Sequence, residues 1–240
     1  MKQTVTPYNS SEGKKKQVAN MFNNVAGTYD FLNHFFSLGI DKLWRKKLVK
    51  LISREQPLLL LDVATGTGDL AIAESVIPNI QITGIDISEG MLEVGKTKVK
   101  QKQINNIQLK LGDSENLEFA TDSFDAVSVA FGVRNFENLE KGLLEMQRVL
   151  KPGKKLFVLE FSKPSNFIFR SIYYLYFFYI LPFVGRIVSK DSSAYSYLPE
   201  SVKNFPSGKE FVEVLQKCNF KEIECKTLFF GISSIYIARK

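Results

Sequence analysis

Apolar positions recur at helical spacing from Lys14 onward, at Val18, Met21, Phe22, Val25 and Ala26, then at Phe31, Leu32, Phe35 and Phe36, then at Leu43, Trp44, Leu48, Leu51 and Ile52. This predicts two or three short amphipathic helices, an N-terminal helical cap over residues 1–55. From Leu58 the pattern changes. LLLLDV (Leu58 to Val63) is a continuous apolar run of strand length, as found in strands buried on both faces of a parallel sheet. A helix follows at Asp69 to Ile77, a strand at Gln81 to Asp86, a helix at Ser88 to Gln101, and strands at Ile107 to Asp113 and Phe124 to Phe131. A helix at Asn138 to Leu150 and a strand at Lys155 to Phe161 complete the series, separated by a Lys151-Pro152-Gly153 turn. Alternating strands and helices predict an α/β fold with a mostly parallel sheet and right-handed crossovers. The chain ends in a helix (Gly208 to Cys218) and two strands hinged at Gly231, an antiparallel hairpin on the sheet edge.

Between residues about 165 and 205 the rhythm breaks. Phe167 to Gly185 is apolar and aromatic on all sides, with Arg170 its only charge. Its uncharged run from Ser171 to Gly185 is short of the about 20 residues that a membrane span requires. An inserted aromatic helix, partly buried and partly facing something apolar, is the expectation. The polar N-terminus, Met1 to Ser11, has no apolar core of a secretory signal, so a cytoplasmic location is expected.

The 240 residues are 45% hydrophobic and 24% charged, which excludes a disordered or fibrous chain. The net charge of +7 is uneven: residues 1–55 hold ten Lys/Arg against four Asp/Glu, and the remaining residues 22 against 21. Two cysteines, Cys218 and Cys225, make no disulfide framework or zinc site, and no metal is expected. His34 is the only histidine, and no nucleophile elbow accompanies it, which argues against triad hydrolysis.

The chemistry concentrates in Asp62-Val63-Ala64-Thr65-Gly66-Thr67-Gly68-Asp69, a turn that leaves a buried strand and opens a helix. Gly66 and Gly68 let backbone approach a ligand, and the helix start offers amide donors. Asp86, eighteen residues beyond Gly68 at the end of the second strand, is placed to accept two ribose hydroxyls. Gly66, Gly68 and Ala71 also satisfy a GxGxxA dinucleotide fingerprint, so NAD binding stays open on these residues alone.

Asp62 before the turn, Asp113-Ser114 after the third strand and Lys151-Pro152-Gly153 before the fifth together resemble the class I, Rossmann-like methyltransferases that use S-adenosylmethionine. The resemblance implies Asp62 near the methionine portion, Asp86 on ribose and Asp113 and Ser114 at adenine, with Gly66, Thr67, Gly68 and Ala130 completing the cofactor set. Ala64 stands where the first glycine of the ExGxGxG pattern is usual. A narrower resemblance rests on Tyr29-Asp30-Phe31-Leu32-Asn33, Ser37, Trp44, Ala130-Phe131-Gly132-Val133-Arg134-Asn135, Arg148-Val149-Leu150-Lys151-Pro152-Gly153, Leu159-Glu160-Phe161-Ser162-Lys163-Pro164 and Ser193 to Ser201. Over roughly residues 14 to 240 the chain is similar to the C-methyltransferase family of ubiquinone and menaquinone biosynthesis. Leu32, Asp41, Lys154 and Ala130 replace the residues usual there.

That resemblance implies methyl transfer to a ring carbon of a prenylated quinol, 2-demethylmenaquinol giving menaquinol, with the corresponding benzoquinol as the alternative acceptor. A ring carbon ortho to an ionised hydroxyl attacks the sulfonium methyl, so the enzyme must align the partners, stabilise a phenolate and exclude water. Arg134, at the end of the fourth strand, is the first candidate for the phenolate. Asp191, Tyr195 and His34 are candidates for orienting or deprotonating the hydroxyl. A bilayer-dwelling acceptor makes transient contact with the inner face of the membrane an expectation, through the aromatic segment and through Lys14, Lys15, Lys16, Lys46 and Lys47. No nucleic acid is expected, and self-association stays open. An NAD-linked oxidoreductase and an RNA methyltransferase with a basic, aromatic N-terminus are the other two classes.

Overall fold

A computed structural model describes residues 5–8, 10–164 and 193–240. The N-terminal segment forms one long helix, α1 (Lys14–Phe36), followed by α2 (Ile40–Ile52), in place of two or three short ones. Gly27 inside α1 costs about 1 kcal/mol relative to alanine. Burial of Val18, Met21, Val25, Ala26 and Leu32 along one face outweighs that cost. The break falls instead at Leu38 and Gly39, both left-handed (φ 51° and 74°), where the Gly39 N–H closes onto the His34 carbonyl at 2.8 Å.

The α/β body follows as β1 (Leu59–Val63), α3 (Asp69–Glu74), β2 (Gln81–Asp86), α4 (Glu89–Gln101), β3 (Ile107–Leu111), β4 (Phe124–Ala130), α5 (Leu139–Val149) and β5 (Leu150–Phe161), then α6 (Ser193–Asn204), α7 (Lys209–Lys217), β6 (Lys221–Leu228) and β7 (Ser233–Arg239). The strands form one sheet in the order β3-β2-β1-β4-β5-β7-β6, with β1 parallel to β2 and β4, and β7 antiparallel to both β5 and β6. The expected terminal hairpin is present. Its second strand lies inside, β7 being buried from Ser233 to Ala238, while β6 forms the mostly exposed edge.

Alternate residues feed two core layers, as the two-residue period of a strand requires. Leu61, Val127, Val158 and Tyr236 pack under α5 and α7 with Leu143, Met146 and Phe211. Leu60, Phe157, Ile235 and Ile237 pack under α2 and α3 with Trp44, Leu48, Ile52 and Leu70. Each fully buried side chain of this size contributes about 1.5–3 kcal/mol. Ser88 caps α4 by accepting the Met91 N–H (3.2 Å), and Asn138 caps α5 by accepting that of Lys141 (3.0 Å).

The order 3-2-1-4 places the reversal of strand order between the parallel β1 and β4, where α/β proteins collect ligands at carboxyl ends of strands. The expected aromatic helix of Phe167 to Gly185 lies outside the described residues, as does Asp191. Among the described residues no helix is long and apolar enough to cross a membrane.

Candidate active site

Three left-handed residues bend the chain from β1 into α3: Ala64 (φ 54°), Gly66 (φ 57°) and Gly68 (φ 78°). For alanine this conformation costs about 1–2 kcal/mol. It persists because the turn is pinned on both sides. Thr65 N–H donates to the Ile85 carbonyl (2.9 Å), and the Gly68 N–H to that of Thr65 (2.9 Å). Across the reversal point, a Cβ on Gly132 would lie 2.7 Å from the Ala64 methyl. Ala64 therefore occupies the space that the glycine after β4 leaves free.

Two buried acids face this turn. Asp86 accepts hydrogen bonds from the Gly66 and Ser88 amides (2.8 and 2.9 Å), yet burial raises its pKa to about 6. Asp62 is fully buried, accepts from the Thr65 hydroxyl at 2.6 Å, and is pushed up to about 7 by burial and by the charge of Asp86. A phosphate here would meet two carboxylates. A phosphate-free nucleoside carrying a cationic centre suits this pair, so the turn fits S-adenosylmethionine and disfavours the dinucleotide.

A small cleft of about 50 Å³, lined by Asp86, Ile87, Asp113, Ser114 and Phe136, adjoins a larger cavity of about 510 Å³. Both are bounded by Phe22, Ala64, Asp86, Gly132 and Asn135. Asp62, Gly66, Thr67, Asp86 and Ala130 line the large cavity. Gly68 instead packs its turn against Leu109 and Gly95. Asp113 gives one carboxylate oxygen to Lys15 (2.7 Å) and the other to the Glu115 N–H (2.9 Å). The Thr67 hydroxyl donates to Asp30 at 2.5 Å.

Helix α1 roofs the cofactor end, an arrangement its sequence did not announce. Val18 and Phe22 line the small cleft, and Met21, Phe22 and Val25 the large cavity. The Asn23 side-chain oxygen accepts from the Ser88 hydroxyl and the Gly90 amide (2.7 and 2.9 Å). Lys14 donates to the carbonyls of Arg134 and Phe136 (3.1 and 2.8 Å), and burial, with the charge of Arg134, drops its pKa to about 8. This corrects the charge reading: of the lysines assigned to a membrane surface, Lys14 and Lys15 turn inward as latches and Lys16 pairs with Glu12 (2.6 Å), whereas Lys46 and Lys47 are exposed on α2.

The far end of the cavity is aromatic. Phe131 and Phe161 rings lie 4.6 Å apart, and Trp44 packs against both at 6.1 and 6.4 Å. Arg134, only 6% exposed at its side chain, pairs with the fully buried Glu160 at 2.9 Å, and its guanidinium carbon is 5.4 Å from the Phe161 ring centre. Burial raises the Glu160 pKa even though Arg134 opposes the shift. Three buried polar atoms here have no hydrogen-bond partner among the described residues: Arg134 Nε, Asn135 Oδ1 and the Tyr197 hydroxyl. Such atoms are costly unless a ligand or water completes them. Tyr29, also lining the cavity, has its phenol raised by burial.

The other candidates fall differently. His34 is not among the cavity-lining residues: its Nδ1 meets Asp41 at 2.8 Å and its Nε2 meets Asp69 at 3.5 Å. Arg45 pairs with both acids and Lys98 with Asp69 (2.5 Å), so cations already balance the carboxylates of this His34–Asp41–Asp69 cluster. Tyr195 lies on α6 with its side chain outside the described residues. Tyr197, Ala194 and Leu198 of the same helix line the cavity. Sequence reasoning missed Tyr197, although it stands in the quoted stretch Ser193 to Ser201, because its burial depends on packing against α1.

The comparisons agree with this geometry. A putative O-methyltransferase from Nostoc punctiforme superposes with a TM-score of 0.69 at 17% identity, covering 97% of this chain and 64% of that one, which establishes the fold. A demethylmenaquinone methyltransferase of Bacteroides fragilis is 44% identical over 238 residues, 98% of this chain and 97% of the relative. A ubiquinone/menaquinone biosynthesis C-methyltransferase of Geobacter sulfurreducens is 41% identical over 239 residues, 98% of this chain and 93% of the relative. The ubiE/COQ5 methyltransferase family model matches residues 10–240. With nearly the whole chain matched and the acids, turn and aromatic chamber in one cavity, this protein belongs to the ubiE/COQ5 methyltransferase family.

Proposed function

We propose that this enzyme methylates the ring carbon of 2-demethylmenaquinol to give menaquinol. The observation that carries the reading is the single cavity running from Asp62 and Asp86 to an aromatic chamber that holds a buried guanidinium. The B. fragilis relative carries the matching name at 44% identity. S-adenosylmethionine, when bound, supplies an electrophilic methyl on a cationic sulfur. Asp62, Gly66 and Asp86 would hold it, with Ile87 and Ser114 at its base.

Trp44, Phe131 and Phe161 give a flat acceptor ring a surface to stack on, which fixes the angle of attack. Arg134 lowers the cost of the phenolate that activates the ring carbon, and Glu160 fixes its guanidinium. The Tyr197 phenol, raised by burial, keeps its proton and donates to the second quinol oxygen. The α1 roof excludes water.

The prenyl tail leaves past Leu38, 83% exposed, toward α2, which presents Leu43 (65% exposed) among exposed Lys42, Lys46, Lys47 and Lys50. An apolar residue flanked by lysines suits the surface of an anionic bilayer, so contact with the membrane belongs to α2. Incubating the purified protein with S-adenosylmethionine and reduced demethylmenaquinone tests the reading. Mass-spectrometric detection of menaquinol is the expected result. Methylation of the benzoquinol alone moves the substrate to the ubiquinone branch, and methylation of neither overturns the proposal.

A further inference from the structure

Behind the cofactor turn lies a second carboxyl that the proposed reaction does not use. Glu74, on the last turn of α3, is fully buried, and neither of its oxygens has a hydrogen-bond partner among the described residues. Asp62 and Ser128 are register partners on β1 and β4. The Ser128 hydroxyl, which lies beside both acids, gives its hydrogen bond to Asp62 (3.5 Å). Burial raises the Glu74 pKa well above its usual range, and the charge of Asp62 raises it further. On Asp62 the acting groups are Thr65, Asp86, Ser128 and the Ala71 backbone; on Glu74 they are Asp62 and Ser128. No cation stands among them.

We infer that Asp62 and Glu74 work as a pair carrying a single negative charge, with Glu74 holding the proton, and that this pair makes binding of the cationic cofactor release a proton. Two buried carboxyls without a counterion cannot both ionise. Glu74 has only the Ser128 hydroxyl nearby, and that hydroxyl is turned to Asp62, so Glu74 is the member that stays neutral. Asp62 accepts two hydroxyl bonds and lines the cavity, so the charge resides there. Near neutral pH in the empty enzyme the pair is divided between one proton and two. A sulfonium or ammonium group beside Asp62 supplies the missing counterion, shifts the pair to its one-proton form and expels the other proton. S-adenosylhomocysteine keeps the ammonium but has lost the sulfonium charge, so it draws out less. Glu74 acts through Asp62 and is a positioning residue. This inference rests on the methyltransferase reading of the site.

Titration calorimetry of S-adenosylmethionine into the full-length protein, run at pH 6, 7 and 8 in buffers of differing ionisation enthalpy, counts protons directly. The expected result is net proton release at pH 6 and 7 and affinity that rises with pH, by up to about tenfold per unit while one proton is linked. S-adenosylhomocysteine should show a smaller release. Glu74→Gln exchanges a carboxyl that already holds its proton for a neutral amide, so the release at pH 7 should persist, whereas Asp62→Asn removes the group that ionises and the release should largely vanish. Asp86→Asn, which removes the other nearby carboxylate, should leave a release that Asp62→Asn does not. A release lost in Glu74→Gln would make Glu74 the ionising member, and a release kept in Asp62→Asn but lost in Asp86→Asn would assign the linkage to Asp86; either overturns the pair as stated. Should these variants fail to fold, wild-type binding without proton exchange is decisive alone. Such binding refutes the pair and leaves the methyltransferase intact, whereas absence of binding refutes the methyltransferase reading itself.

Discussion

The cofactor end of the cavity and its acceptor end are built in different ways. The cofactor end is built mainly from backbone at strand ends: a turn after β1, an acid ending β2 and hydrogen bonds from amides to carboxylates within residues 62–91, joined by Asp113 and Ser114 after β3 and by the α1 roof. The acceptor end comes from side chains that sequence keeps far apart, Tyr29 on α1, Trp44 on α2, Arg134 after β4, Phe161 ending β5 and Tyr197 on α6. Backbone turns fix a ligand whose shape never changes. Side chains on separate elements can be exchanged without rebuilding the sheet, which suits one fold to many acceptors. If the two ends are independent, changes at one should leave binding at the other intact.

The largest effect is expected at the acceptor end. Arg134→Lys keeps a cation beside Glu160 but loses the planar fork, and should cut turnover by about 10²–10³-fold while S-adenosylmethionine affinity holds. Equal losses in turnover and cofactor affinity would break the division between the ends. Arg134→Ala is a poorer probe. It leaves the Glu160 carboxylate buried and unpaired, at about 3–5 kcal/mol of stability.

At the cofactor end the balance of stability against function is visible in Asp62. Its pKa near 7 in the folded chain, against 3.8 ordinarily, means the native state holds a proton that the unfolded chain releases between about pH 4 and 7. Stability from this group therefore falls as pH rises through that window and is lowest above it. Asp62→Asn should stabilise the empty protein at pH 8, by on the order of 4 kcal/mol at most, with the gain shrinking toward pH 5. Cofactor affinity should drop in the same variant. Denaturant midpoints at the two pH values and calorimetry check both halves, and a stability gain independent of pH would refute the assignment.

The contrast also explains what could be read from the sequence. The alternation of strands and helices, the turn and Asp62 and Asp86 were legible because each depends on local pattern, a buried run, a pair of glycines, an acid at a strand end. The aromatic residues were legible as types but not as a chamber. Tyr197 was not singled out, since its burial comes from packing against Val18 and Met21 of α1, far away in sequence. Lys14 and Lys15 read as surface charge because their partners, the carbonyls of Arg134 and Phe136 and the acids Asp113 and Glu115, lie about a hundred residues downstream. Glu74 gave no signal at all, an ordinary polar residue in a helix until α3 packs it over β1 and β4.

Where the two ends meet, Ala64 and Gly132 form a size-matched pair. Gly132→Ala brings its Cβ within 2.7 Å of the Ala64 methyl and 3.0 Å of Val129, so an overpacking cost of about 1–3 kcal/mol is expected. Adding Ala64→Gly frees the space and also relieves a left-handed alanine, so the double variant should recover most of that loss. A thermal-melt cycle measures the coupling. Additive effects would show that the two residues do not share the space.

The smallest effect concerns the outside of the molecule, where the N-terminal charge excess divides between inward latches and the face of α2. If α2 meets an anionic bilayer, Lys46→Gln and Lys47→Gln should each weaken binding to phosphatidylglycerol vesicles by about 1 kcal/mol, and added salt should abolish the difference. Lys15→Gln, which loses Asp113 and Glu115 as partners, should leave vesicle binding unchanged while loosening the α1 roof. Flotation separates these cases, because a latch acts on cofactor affinity and a surface lysine on partitioning. Equal vesicle losses from Lys15 and Lys47 would mean that charge is read as a total. Unequal losses in the stated order would mean that the position of each lysine in the fold determines its partner.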